Sequence, residues 1–310
     1  MTTTIDAIKR FFAFWLTVGR NTVRLWLEAQ VFIHAAALAF FTVFSIAPVM
    51  IVAVSIVGLV LGERAAQGEI ALQLEAAIGA EAATAVQTAV EGSRIEHSGL
   101  LPSLLGLGAM LFGATTVFAQ MQNALNAIWG VAPQPSRSSV LLYLKTRLLS
   151  LTVVLAIGFV LLVSLLLSVA LQSVLVFAEE WLWIPPALVL GVDWVVSITV
   201  VTLLFAAIFR VLPDVVLAWR DVLLGAVVTS LLFALGRSAI AFYLANTATA
   251  STYGAAGSLA LLLLWVNYSS LILLLGAAFT RAHVEARGRS VRPRATAVRV
   301  HRELIEDAVA

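Results

Sequence analysis

Over most of this chain the hydrophobic positions neither alternate nor recur at helical spacing; they run together. Six stretches, at 35–61, 100–119, 148–177, 186–209, 222–245 and 255–279, are apolar along nearly their whole length. About 20 helical residues cross roughly 30 Å of hydrocarbon, so each stretch predicts one spanning helix. Strands of a membrane barrel would alternate polar and apolar residues over about 10 positions, and these stretches do not. With no water in the hydrocarbon, the helix is the remaining way to satisfy backbone N–H and C=O groups. The pattern predicts an all-α polytopic membrane protein with six transmembrane helices.

Segments outside those runs carry mixed patterns. In the N-terminal segment 1–34, Ile5, Ile8, Phe12, Trp15 and Leu16 share one side, while Lys9, Arg10, Arg20 and Arg24 interleave with Phe11, Phe14 and Trp26. Such an amphipathic helix suits the headgroup region, where anionic lipid attracts basic side chains. Interfacial anchoring accounts for these residues without nucleic acid as a partner. The outer loop 62–98 places Ile70, Leu74, Ile78, Val86 and Val90 at spacings of four and eight, the stripe of an amphipathic helix. It reads as a solvated cap on the bundle or as a gate over an outward opening. Beyond 281 the chain is rich in arginine, contains Pro293 and loses apolar periodicity, which predicts a disordered basic tail over 282–310. The segments divide the chain at 1–34, 35–281 and 282–310.

Composition agrees with the pattern. Hydrophobic residues make up 61% and charged residues 12% of 310, with mean hydropathy +1.02. Soluble domains are about 45–50% apolar and about 25% charged, so the charge here cannot clothe a soluble surface. Its placement sets the topology. Of 19 lysines and arginines, only Arg64 and Arg94 fall on one side of the expected spans, and Arg237 falls inside one. The rest flank the other side, so the positive-inside rule places both termini in the cytoplasm. Six glutamates (63, 69, 75, 81, 91 and 96) make the outer loop acidic. The first residues lack the short apolar core and small-residue cleavage site of a signal peptide, so the first hydrophobic segment is expected to remain. With no cysteine, disulfides, thiolate metal sites and cysteine nucleophiles are excluded.

Charges inside spans are the main functional clues, because each costs about 3 kcal/mol or more at mid-membrane. Arg237 lies about nine residues from the outer end of the fifth stretch and Asp193 about seven from that of the fourth, which places both roughly 10–13 Å deep. They read either as a buried ion pair fixing register, with Arg237 free to snorkel outward, or as the lining of an outward polar cavity for an anionic group. Asp193 is also a candidate proton carrier, since burial raises a carboxylate pKa. Asn267, Tyr268 and Tyr253 are further candidates for that cavity. Pro48 interrupts the first span and is the candidate hinge, with Thr42 and Ser45 upstream to re-satisfy the backbone. Gly225, Gly236 and Gly276 permit close helix contact. Near the cytoplasmic span ends, Gln122, Asn126, Arg220 and Asp221 form a candidate polar cluster; Asp221 caps the fifth span and Trp129 anchors at the interface.

Catalytic constellations are missing from the sequence. His34, His97, His283 and His301 include no pair at metal-ligand spacing, and there is no HExxH, nucleophile elbow, phosphate loop or dinucleotide glycine motif. The expectation is a protein without cofactor, metal or catalytic residues.

Five segments carry a resemblance. AAALAFFTVFSIAP (35–48), ALNAIWG (124–130), RVLPD with WRDVLLGA (210–226), YGAAGS (253–258) and LLLLWVNYSSLILLLGA (261–277) occur in that order. Together they resemble the YihY/virulence-factor BrkB family of bacterial inner-membrane proteins, over about residues 10–285. The resemblance implies six membrane helices with both ends cytoplasmic. It also implies export or transport, lipids and lipid-linked envelope material included; the family's old ribonuclease label has no support in these residues. Many relatives carry a glutamate after the final Gly-Ala, where this chain has Gly276, Ala277 and Ala278. The expected function is a transporter or flippase-like protein without an ATPase of its own, working with membrane lipids. The alternative is a non-catalytic scaffold for envelope assembly, partnered by envelope proteins or by copies of itself.

Overall fold

The computed structural model describes residues 2–45, 100–134, 186–246 and 249–300, with isolated helical positions at 68, 71, 75, 83, 84 and 87. Its helices are α1 (Thr2–Glu28), α2 (Val31–Ser45), α3 (Leu100–Trp129), α4 (Pro186–Val211), α5 (Trp219–Asn246) and α6 (Thr249–Ala286). Short strands lie at β1 (Val131–Pro133), β2 (Val215–Val216), β3 (Arg292–Pro293) and β4 (Ala297–Arg299).

The last three expected spans are helices long and apolar enough to cross a membrane: Trp194–Val211, Trp219–Ala239 and Leu259–Ala286. A fourth arises if Lys9–Glu28 and Val31–Ser45 cross as one broken span, bent by 61°. The stretch 100–119 lies within α3. The remainder of the first stretch with Pro48, the stretch 148–177, most of the loop 62–98 and residues 301–310 fall outside the described residues.

The α1–α2 break is a backbone event. Gln30 adopts a φ of 51°, the left-handed region that non-glycine residues enter only when their surroundings hold them there. Ala29 and Val31, buried on either side, supply that hold.

The connection 212–218 is short, so α4 and α5 are antiparallel neighbours, joined mid-helix by Thr202 Oγ1···Ser230 Oγ at 2.8 Å. Between α5 and α6 the approach is closer. A methyl group added at Gly225 would overlap Thr280 Oγ1, and one at Gly276 would overlap Thr229 Oγ1. Each threonine donates its hydroxyl to the carbonyl four residues earlier in its own helix, Thr229 to Gly225 at 2.6 Å and Thr280 to Gly276 at 2.7 Å. The two Gly-x-x-x-Thr segments therefore interlock head to tail, with both hydroxyls satisfied. Lipid is as apolar as leucine, so close backbone approach of this kind, rather than hydrophobic expulsion, draws membrane helices together.

The main core sits at one end of the bundle, where Leu125, Ile128, Trp129, Phe209, Val222 and Leu274 are buried together. That end is also closed by strands. β1 pairs antiparallel with β4 (Val131 opposite Arg299), and β2 with β3 (Val215 opposite Pro293). The expectation of a disordered tail is thus corrected as far as residue 300. The segment folds back onto the chain after α3 and between α4 and α5, and Val291 and Ala297 are buried. At the opposite end a smaller cluster joins Ala39, Leu262 and Val266 with Ala83 of the segment 62–98.

Replacing Gly225 by valine should separate α5 from α6, with an overpacking penalty of about 1–3 kcal/mol. The expected result is a lower melting temperature in detergent and a broader size-exclusion profile. Gly19→Ala is the control, since nothing lies within 4 Å of a methyl there. Wild-type melting of the valine variant would contradict so close a crossing.

Candidate functional site

Polar side chains gather at the strand-closed end. Gln122 and Asn126 are four residues apart and so share one face of α3. They meet Asp214, which the connection 212–218 carries past the end of α4. Asn126 Nδ2 donates to Asp214 Oδ2 at 2.8 Å, and Gln122 Nε2 lies 3.3 Å from both carboxylate oxygens. In return the Asp214 main-chain N–H donates to Asn126 Oδ1 at 2.8 Å. Asn126 thus uses both halves of its amide on one residue, and it is buried.

The expected cluster of Gln122, Asn126, Arg220 and Asp221 divides in two. Asp221 does not join Asp214: it forms an ion pair with Arg289 and accepts from the Ala218 N–H at 3.4 Å. That second bond is the back-reaching half of a capping box at the start of α5, as the capping expectation has it. Arg220 is exposed.

Three arginines of this end act where the sequence showed only charge. Arg281 donates from Nη1 to the Ile128 carbonyl at 2.6 Å and from Nε to Glu285 at 2.7 Å. Arg294 Nη2 reaches the carbonyls of Arg210 at 3.1 Å and Val211 at 3.2 Å. Both guanidinium groups thereby satisfy the carbonyls left open at helix C-termini, of α3 and of α4, where the helix dipole also favours positive charge. Gly130 completes the α3 end with a φ of 63°, and a side chain there would press on Arg281 Nη1. Arg210 itself lies over the Trp219 ring, 4.3 Å from the centroid, a cation–π contact.

Trp129 corrects an expectation. It is 2% exposed, part of the core rather than an interfacial anchor, because the returning strand β4 covers the end of α3. His283 is equally buried, with its ring stacked on Trp15 at 5.9 Å and on Phe279 at 6.2 Å.

Candidates at membrane depth lie toward the opposite end. From the Thr202–Ser230 contact, Arg237 is seven residues and Asp193 nine residues further along antiparallel helices, about 10 Å and about 14 Å. Their depths therefore match to within one turn. The Arg237 side chain is exposed, as are its neighbours Leu235, Ser238 and Ala239. Asp193 is helical, and its side chain falls outside the described residues. Tyr268 packs against Gly236, the residue before Arg237, where a methyl would come within 2.5 Å of the ring. Asn267 is half-buried beside it on α6. Tyr253 lies within α6, which begins at Thr249; its side chain is outside the described residues.

Apolar helices able to span a bilayer, packed through glycine and capped at one end, define an integral membrane protein. The chain matches the model of the family described as virulence factor BrkB over residues 22–300, and it belongs to that family. It is similar to a UPF0761 membrane protein of Saccharophagus degradans, 28% identical over 91% of this chain and 61% of the relative. With the UPF0761 membrane protein of Psychromonas ingrahamii it shares 24% identity over 89% of both chains. A ribonuclease-like protein of Bacillus subtilis, YfkH, is 27% identical over 58% of this chain and 64% of the relative. Of a UPF0761 membrane protein of Ralstonia nicotianae the match spans only 40%. No solved structure matches.

The Asn126–Asp214 pair yields a prediction of stability. Asn126→Ala removes a donor from the carboxylate and the acceptor of the Asp214 N–H, leaving buried groups unsatisfied at a cost of about 1–3 kcal/mol. The melting temperature in detergent should fall. An alanine variant as stable as wild type would show that the pair is dispensable.

Proposed function

We propose that this protein is a transporter or flippase-like protein of the bacterial inner membrane, moving a lipid or another anionic envelope component, with both termini cytoplasmic and no ATPase or catalytic site of its own. The observation that carries the reading is Arg237. It is a permanent cation within an apolar span, exposed rather than sealed in the packed core, on the flank of α5 that also holds Ser230 against α4. A cation held at that depth has a reason to be there if an anionic group reaches it. Support also comes from the uneven packing, since the main core lies at the strand-closed end while Trp194, Val195, Leu235 and Leu264 are exposed toward the other. In this reading Tyr268 and Asn267 border the path, and Asp193 is at matched depth but half a turn round α4 from Thr202, on the side away from α5. Pro48 and most of the acidic loop 62–98, the expected hinge and cover of that path, lie outside the described residues.

Purified protein in vesicles, with a fluorescent anionic phospholipid and an external quencher, tests this directly. Wild type should move the lipid between leaflets, and Arg237→Leu should slow movement by about tenfold or more, equivalent to roughly 1.4 kcal/mol. No movement by wild type, with or without a proton gradient, would overturn the reading in favour of a scaffold.

A further inference from the structure

α1 has three sides, and α6 covers one of them. The covered side runs through Trp15, Val18, Thr22, Leu25 and Trp26. At one end the Trp15 ring stacks on Phe279, 6.3 Å away, and on His283; at the other Trp26 Nε1 donates to the Leu271 carbonyl at 3.4 Å. Between these contacts α1 runs antiparallel to α6 for about 12–18 Å. Arg20 and Arg24 lie between them and so are level with Gly276, which meets Thr229 of α5. The two arginines therefore lie beside the α5–α6 crossing, toward the strand-closed end of the bundle.

The other two sides have no cover. Phe12, Leu16, Val23 and Leu27 form an apolar flank, 68%, 77%, 53% and 54% exposed. Next to it around the helix come Lys9, Arg20 and Arg24, all exposed. Arg24 approaches Glu28 at 3.7 Å, with both side chains more than half exposed, which leaves Arg20 and most of the Arg24 guanidinium available. Bare acyl chains suit the first flank and are a poor medium for the second. An anionic amphiphile suits both, its chain against Leu16, Val23 and Leu27 and its phosphate on the arginine fork.

We propose that α1 carries a binding site for an anionic phospholipid, with the headgroup phosphate held by Arg20 and Arg24 and an acyl chain lying along Leu16, Val23 and Leu27. The site is separate from Arg237 and holds whether or not the protein moves lipid. A water-filled groove and a protein partner are the competing occupants.

The test uses the full chain in nanodiscs of equal phosphatidylcholine and phosphatidylglycerol, followed by release into detergent and native mass spectrometry of retained lipid. Wild type should retain phosphatidylglycerol preferentially. Arg20→Gln with Arg24→Gln should lower that preference by about tenfold, while the lysine pair at the same positions and Arg287→Gln keep it. Because the chain has no cysteine, Val23→Cys gives a unique fluorophore site. Its emission should be quenched by brominated acyl chains and spared by aqueous iodide. Unchanged phosphatidylglycerol preference in the glutamine pair would overturn the proposal. So would iodide quenching at Val23, which means water, or protection from both quenchers, which means protein.

Discussion

The interlock of Gly225 and Thr229 with Gly276 and Thr280 is the constraint on which the rest of the bundle depends. In a bilayer, helices gain no hydrophobic energy by leaving lipid for one another, so contact distance decides whether they associate. Glycine removes the side chain that would hold the backbones apart, and the threonine methyl and hydroxyl fill the space released. Both hydroxyls are spent on their own helices, at Gly225 O and Gly276 O, so no polar atom is stranded in the contact. With α5 fixed on α6 here, Ala226, Ala277 and Ala278 come under the core that also receives α1 and α3.

That fixed point lies near the strand-closed end, and the polar chemistry around it is mostly structural. Helix ends leave carbonyls without partners. This fold answers with guanidinium groups: Arg281 on α3 and Arg294 on α4. Asp214 and Asn126 exchange bonds in place of a longer loop, and Asp221 ties the start of α5 to Arg289. The other end lacks comparable closure among the described residues, and the exposed Arg237 lies toward it. Among the described residues, the bracing is concentrated at the strand-closed end.

Much of this was legible in the sequence. Solid apolar runs marked α4, α5 and α6, because a span must be apolar on every side. Asp221 at the third position of α5 and glycines at helix crossings followed from local rules, as did Gln122 and Asn126 sharing a face. The tail was not legible. Strands of two and three residues carry no periodic signal, and Arg294 and Arg299 read as solvated charge until the carbonyls they face are known. The break at Gln30 was hidden because nothing in a glutamine announces a positive φ. Trp129 misled for a related reason, since a tryptophan at a span end resembles an interfacial anchor whenever the strand that buries it is distant in sequence. Arg237 and Asp193 stood out from composition alone, and their matched depth follows from the Thr202–Ser230 contact.

The strand pairing has a consequence for the order of assembly. β3 and β4 follow every described helix in the chain, yet they close onto segments made long before, after α3 and between α4 and α5. During synthesis α3, α4 and α5 are made while their ends are still unclamped. Only when residues 291–300 emerge can Arg294 reach the α4 carbonyls and β4 align with Val131. The latch on this end of the bundle is therefore the last part of it to be made.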